Sequence, residues 1–358
     1  MKKAVDFLII GQGLAGTVLS HKLHRKGFKI HVIENLVSNS ASRIAAGVFN
    51  PVTYRKLKMA EFADFLIPEV FDYYAQVEKE LDQKFFYPTS FLKLITDYEE
   101  LNNWQIQSEI AANKPFMSQE ILSENFGDKI LNPFGAGQVL QSGLVKVGQF
   151  LDAWKSYLRS ENLIQETIFN HDNLVCIDDG YEYENVWAKN IIFCEGVVVV
   201  NNPWFSWLPM QQFKGEVIEI YAPELELDRL LNRGVFVLPL GAGKFKVGAT
   251  HDWRHVDEEI TEEGRKELTD KLDKILNVNY EVVSHHAGLR PATRDRRPFI
   301  GEHPEMKNMF VLNGLGSKGV IMVPWLADVF IQGLEHNDWP RTFNITRYIR
   351  FYNTKVEK

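Results

Sequence analysis

Val5-Asp6-Phe7-Leu8-Ile9-Ile10-Gly11-Gln12-Gly13-Leu14-Ala15-Gly16 joins a short apolar run to a G-x-G-x-x-G turn. The run is nearly continuous rather than alternating, the pattern of a strand covered on both faces in a parallel sheet. Leu14, Ala15, Val18, Leu19 and Leu23 then recur at helical spacing, Gly27 can end that helix, and Lys29 to Glu34 reads as the next strand. These residues predict a β-α-β unit. In that setting Gly11 permits the tight turn, Gly13 lets the backbone approach a pyrophosphate, and Gly16 allows close packing of helix on strand. The helix N-terminus adds N–H donors and a partial positive charge. Glu34 closes the second strand roughly 20 residues on, where a carboxylate accepts hydrogen bonds from a ribose and repels a 2'-phosphate. The unit therefore predicts a site for FAD or NAD rather than NADP.

Further along, Asn35 to Ser42 reads as a loop, and Phe62, Phe65, Leu66, Val70, Phe71, Tyr74, Val77 and Leu81 mark one side of a long helix that Pro68 can bend. A helix near Val147 to Arg159 precedes short strands around Leu163 to Ile168, Leu174 to Ile177 and Ile191 to Cys194, a return to the first sheet. From Lys214 the pattern changes. Glu216 to Tyr221, Val235 to Leu238 and Phe245 to Ala249 read as strands in hairpin succession, the last two joined at Gly241-Ala242-Gly243. Thr261 starts a charged helix through Ile275, and Glu281 to Ala287 is a further strand. The expected fold is α/β: a Rossmann-like FAD/NAD(P)-binding domain from residues 1–80, 140–212 and 287–358, with a second α+β substrate domain from 81–139 and 213–286 containing a mixed or antiparallel sheet.

The chain has 358 residues, 45% of them hydrophobic and 24% charged, with 8 Trp, 12 Tyr and 24 Phe. That composition excludes a disordered chain or a disulfide miniprotein. The net charge of −7 supplies no global field that would draw the protein to nucleic acid or an anionic membrane. Cys176 and Cys194 are the only cysteines, too few for a secreted disulfide framework or a cysteine-ligated zinc site. Phe7 to Ile10 is too short for a signal sequence, and no apolar run approaches the roughly 20 residues of a membrane helix. The expectation is a cytoplasmic protein starting at Met1.

Near the other end stand Gly288-Leu289-Arg290-Pro291, Asp295-Arg296-Arg297-Pro298-Phe299-Ile300-Gly301, a strand at Met309 to Leu312, and Gly314-Leu315-Gly316-Ser317-Lys318-Gly319 before a helix Val320 to Leu334. The strand, Gly-rich loop and helix present a second set of N–H groups suited to the electron-rich edge of a bound ring. With the first motif and Glu34, Ser42-Arg43-Ile44-Ala45-Ala46-Gly47, and Cys194-Glu195-Gly196, this order of motifs resembles the D-amino-acid oxidase and glycine oxidase family of FAD-dependent amine oxidoreductases. The likeness spans nearly the whole chain.

The resemblance implies that Gly11, Gly13, Leu14, Ala15, Gly16, Glu34 and Asn35 surround the ADP portion of FAD. Ala41, Ser42, Ala46, Gly47 and Val48 would follow the pyrophosphate and flavin, with Cys194 and Gly196 also at the cofactor. Ile168 would offer backbone to the adenine, and Leu315, Gly316, Ser317, Lys318, Gly319, Val320 and Ile321 would wrap the flavin pyrimidine edge. Lys318 would stabilise negative charge there. Arg290 would bind a substrate carboxylate through its guanidinium fork, the alternative being a structural ion pair with Asp295. Phe236 stands where a tyrosine would share that carboxylate, and Ser317 where an arginine would lie. The FAD would be non-covalent, since no cysteine lies near the G-L-R-P segment.

By that resemblance the enzyme would oxidise the C–N bond of a small amine or amino acid by hydride transfer to flavin N5, giving an imine, with molecular oxygen as acceptor. Two alternatives stand beside it. Ala292-Thr293-Arg294-Asp295 and Gly316-Ser317-Lys318-Gly319 are also similar to the oxidase half of the bifunctional enzyme that trims wobble-uridine side chains on tRNA; a non-catalytic flavoprotein is the other. No metal is expected. His251 and His255 have i, i+4 spacing but follow a strand, and the adjacent His285 and His286 point to opposite faces. The arginines and aromatics from Arg341 to Tyr352 read as solvated faces and C-terminal packing rather than an RNA surface.

Overall fold

The computed structural model describes residues 2–35, 40–54, 57–122 and 127–356. Lys3–Ile10 lies at the centre of a sheet ordered Ile164–Glu166, Ile30–Glu34, Lys3–Ile10 and Val186–Phe193, all parallel. From Phe7 onward its side chains alternate, Phe7 and Ile9 into one core and Leu8 and Ile10 into the other, which is why the run is apolar throughout. Met309–Asn313 continues the sheet in parallel along one half of Val186–Phe193. Along the other half, Gly180–Tyr183 and Leu174–Ile177 form an antiparallel extension. Gly180–Tyr183 carried no sequence signal of its own.

Helices Leu14–Arg25, Ala63–Leu81 and Gly319–His336 pack against one another beside this sheet. Gly319–His336 is buried almost all round and contains Pro324. Proline has no N–H to give the carbonyl of Val320, four residues earlier. The Tyr74 hydroxyl donates to that carbonyl instead at 3.2 Å, tying helix Ala63–Leu81 to the first turn of Gly319–His336. Residues 36–39 of the expected loop lie outside the described residues; the loop's other end is a short helix, Ala41–Ile44.

The second large sheet runs Glu281–Thr293, Met210–Tyr221, Lys244–Gly248, Phe236–Gly241, Leu231–Asn232, Phe91–Leu94, Ala136–Val139 and Met117–Leu122. Its neighbours are antiparallel except for Leu231–Asn232 on Phe91–Leu94. Helix Glu262–Leu272 buries Leu268 and Leu272 against it, and Thr261 caps that helix by accepting from the Gly264 N–H at 3.0 Å. A small sheet joins Val48–Phe49, Gly143–Val145 and Phe86–Pro88. The strand expected to end at Ala287 runs on to Thr293 and so carries Gly288-Leu289-Arg290-Pro291. An edge position allows this, because Pro291 can be placed without breaking a central ladder.

Candidate active site

At the first turn Gly11 has φ +99°, and a Cβ there would stand 2.6 Å from the Cys194 carbonyl oxygen. A Cβ on Gly16 would stand 1.8 Å from the Gly11 carbonyl oxygen. Both glycines are thus required by backbone contact. The Ser42 hydroxyl accepts from the Leu14 N–H at 3.1 Å, drawing helix Ala41–Ile44 over the turn. Glu34 accepts from the Gln12 N–H. Burial raises the Glu34 carboxyl above its ordinary range, opposed by that N–H and by the charges of Lys155 and Arg43.

A cleft of about 1010 Å³ starts at this turn and runs to the second sheet. It gathers Gly11, Gly13, Leu14, Ala15, Glu34, Asn35, Ala41, Ser42, Ala46, Gly47, Val48, Ile168, Cys194, Gly196, Leu315, Gly316, Ser317, Gly319 and Val320, with Arg290 and Phe236. Three expected residues are not on its wall. Gly16 sits behind the turn as a packing glycine. Ile321 is buried in the helix. Lys318 is the helix N-cap residue, and its side chain points to solvent rather than into the cleft. The helix N-terminus itself meets the cleft at Gly319 and Val320, where it offers a partial positive charge.

Glu195 holds the wall near Ile168: its carboxylate lies 3.3 Å from His171 Nε2 and accepts from Asn202 Nδ2 at 2.8 Å. Asn313 Nδ2 donates to the Gly196 carbonyl at 2.8 Å, fixing the end of one sheet strand against the next. Burial pushes the Cys194 thiol well above its ordinary pKa, so it is held as an unreactive thiol.

Arg290 makes no ion pair with Asp295; Asp295 pairs with Arg347 at 2.9 Å. The Arg290 guanidinium instead lies over the Phe213 ring at 5.0 Å, and among the described residues its one hydrogen bond is Nη1 to the Thr250 carbonyl at 3.3 Å. A Cβ on Gly215 would stand 2.2 Å from the guanidinium, so the absent side chain is what lets the fork lie flat on the strand. Burial lowers the Arg290 pKa to about 10, which leaves it cationic at neutral pH. This desolvated cation has no carboxylate partner among the described residues and lines the cleft, a setting in which a guanidinium fork can accept an anion.

Loop residues beyond Gly248 wall this end. Phe213 stacks with His251 at 5.7 Å and with Trp253 at 4.4 Å; His251 to His255 is non-helical, as expected, and His251 also lines the cleft. His255 is occupied by Asp252, 2.6 Å away. The loop is anchored from behind the strand: Lys214 pairs with Asp257 at 2.7 Å, and Glu216 accepts from the Thr261 hydroxyl at 2.7 Å and lies 2.7 Å from His285. Gly215, Phe213, Lys93 and Tyr54 are site residues that motif reading missed, and His251 was weighed only as half of an i, i+4 histidine pair. Only Gly215 had a signal, since a glycine inside an apolar strand marks a close approach.

Residues 6–332 match the family described as FAD dependent oxidoreductase. The chain belongs to that family. Its cofactor is FAD, and the glycine turn, Glu34 and the helix N-termini fit it. Among relatives of this FAD-dependent oxidoreductase, glycine oxidase of Bacillus subtilis (strain 168) is 22% identical over 97% of this chain and 98% of its own. The bifunctional tRNA 5-methylaminomethyl-2-thiouridine biosynthesis protein of Marinobacter nauticus is 22% identical over 90% of this chain but only 54% of its own length. In structure the chain is similar to glycine oxidase from Geobacillus kaustophilus, with a TM-score of 0.77, 17% identity, and 97% and 98% of the two chains covered.

Proposed function

We propose that this oxidoreductase oxidises the C–N bond of a small amine that carries a carboxylate, an amino acid or N-substituted amino acid. The observation that carries the reading is Arg290: a buried guanidinium, laid flat over Gly215 and Phe213, facing a cleft continuous with the FAD cradle. Gly11, Gly13, Ala15, Ser42, Glu34 and Asn35 would hold the dinucleotide, and Leu315, Gly316, Gly319 and Val320 the flavin pyrimidine edge. When bound, FAD accepts the hydride removed from the carbon that bears nitrogen. Arg290 binds the carboxylate and so fixes which C–H faces the ring. Phe236 and His251 on the cleft wall limit access of water. The N-terminus of Gly319–His336 offers its partial positive charge to the ring. The buried, neutral Cys194 thiol and the exposed Cys176, which is not on the cleft wall, support a non-covalent FAD.

In this reading the first sheet belongs to the FAD domain and the second to the substrate domain, with the late boundary after Thr293 because strand Glu281–Thr293 is continuous. Oxygen as acceptor and a cytoplasmic location complete the proposal. The test is anaerobic mixing with D- and L-amino acids, glycine and N-methyl amines. Bleaching of the flavin band by a carboxylated amine is expected; no reduction by any of them would overturn the reading. The similarity to the Marinobacter nauticus protein favours a second reading, an amine borne on a tRNA nucleoside. Salt-dependent tRNA binding together with inertness toward free amino acids would favour it.

A further inference from the structure

The cleft extends well past Arg290. Its floor is a row of directly opposed residues across the second sheet: Val217 faces Gly248, Gly248 faces Phe236, Phe236 faces Asn232, and Asn232 faces Lys93. Every member of that row lines the cleft. At an inter-strand spacing of about 4.8 Å, the row runs about 19 Å from Val217 to Lys93. The Arg290 fork lies over Gly215, two residues from Val217. The cleft therefore has one guanidinium near one end of the row, an apolar and glycine-lined middle, and a charged cluster at the other end.

That far cluster is cationic. The Lys93 side chain is only 5% exposed, and its ammonium donates to the Leu94 carbonyl at 2.7 Å and pairs with Glu100 at 2.7 Å. Glu100 is not Lys93's alone. Its other oxygen accepts from the Thr96 N–H at 2.8 Å and the Thr96 hydroxyl at 2.9 Å, and it sits in the first turn of helix Tyr98–Glu109. Arg233 adjoins Asn232 and also lines the cleft; it donates to the Leu131 and Lys274 carbonyls and has no carboxylate partner among the described residues. Burial, and behind it the Arg233 charge, pull the Lys93 ammonium below its ordinary pKa against the opposing pull of Glu100. Of the remaining charged lining residues, Glu34 and Glu195 lie at the glycine-turn end, Lys271 pairs with Glu267 at 2.6 Å, and Glu258 is exposed to solvent. Arg290 and Arg233 are thus the two arginines that line the cleft, and neither has a carboxylate partner among the described residues.

We propose that Arg233 and Lys93 form a second anion subsite, so that the substrate is an elongated amine bearing a carboxylate at the Arg290 end and a second anionic group at the Arg233 end. The inference rests on Arg290 being the first anchor. An amine as small as glycine would fill one end only and leave the apolar floor at Gly248 and Phe236 uncovered. An N-(carboxyalkyl) amino acid has the required chemistry.

The FAD-loaded enzyme is titrated calorimetrically with unbranched α,ω-dicarboxylates of increasing length and with monocarboxylates of matched carbon number. None of these has a C–N bond to oxidise, so the readout is binding and not turnover. The expected result is a dicarboxylate of one preferred length that binds about tenfold or more tightly than its monocarboxylate partner, with the difference removed by Arg233→Gln. Flavin content and melting temperature of that variant establish that it is folded. Equal binding of the two series at every length, lost in Arg290→Ala, overturns the second subsite and leaves the Arg290 anchor standing. A preference that survives Arg233→Gln also overturns it. Failure of both series to bind overturns the anchor and the subsite together.

Discussion

At Gly215 a methyl group would occupy the space of the Arg290 guanidinium, 2.2 Å away, and no rotation of that methyl could relieve the overlap. Gly215→Ala is therefore expected to lift the fork from the strand while leaving FAD bound. Loss of one charge-assisted contact is worth about 1.5–3 kcal/mol, a rise in KM for carboxylated amines of about 10- to 150-fold, and steady-state kinetics at matched flavin content check it. Lys318 is the contrasting case. Its side chain is exposed and off the cleft wall, so Lys318→Met is expected to change turnover by no more than about twofold, as surface substitutions do. A loss of tenfold or more would return the ammonium to the flavin edge. The motif signals around Gly11, Glu34 and Gly316 were legible because they are local: turn, helix end and acid follow one another in sequence. The Gly215–Phe213–Arg290 arrangement is formed between paired strands, Phe213 opposite Arg290 and Gly215 opposite Gly288, and no local pattern encodes such a register.

The β-α-β unit, the long helices and the hairpin strands after Lys214 were readable because apolar periodicity and glycine punctuation agree there. Residues 82–146 were silent. Their strands are three to six residues long, and Phe91–Leu94 is buried on every residue, Lys93 included, so alternation is absent. The strand read over Glu281 to Ala287 runs on to Thr293, and its edge position lets it pass Pro291. The tightest constraint at this scale is the packing of helix Leu14–Arg25 on the turn that precedes it. A Cβ on Gly16 would meet backbone, the Gly11 carbonyl oxygen at 1.8 Å, which cannot swing away. Gly16→Ala is expected to displace the helix N-terminus and yield protein with little or no bound flavin, read as the ratio of flavin to protein absorbance. Retention of a full complement of FAD would show that the helix is not held where the cleft requires it.

Across the whole molecule, stability depends on two buried histidines of the nucleotide-binding half. Burial lowers the pKa of His21 to about 4 and of His31 to about 4, from an ordinary value of 6.5. Between pH 6.5 and about 4 the unfolded chain binds protons that the folded chain does not, so stability falls as pH is lowered through that window. The melting temperature of the FAD-loaded protein is expected to drop across it, with a shallower drop in His31→Gln; an unchanged slope in that variant would remove His31 from the account. FAD itself binds only the folded chain and should raise the melting temperature as its free concentration rises. The claim that organises all of this is that Arg290 presents a carboxylated amine to the flavin. It is tested most directly by anaerobic reduction of the wild-type and Arg290→Ala enzymes by one reactive amino acid and its decarboxylated amine. The expected result is that the wild type reduces far faster with the amino acid and that Arg290→Ala loses this preference while retaining its FAD. Equal preference in both proteins would contradict it.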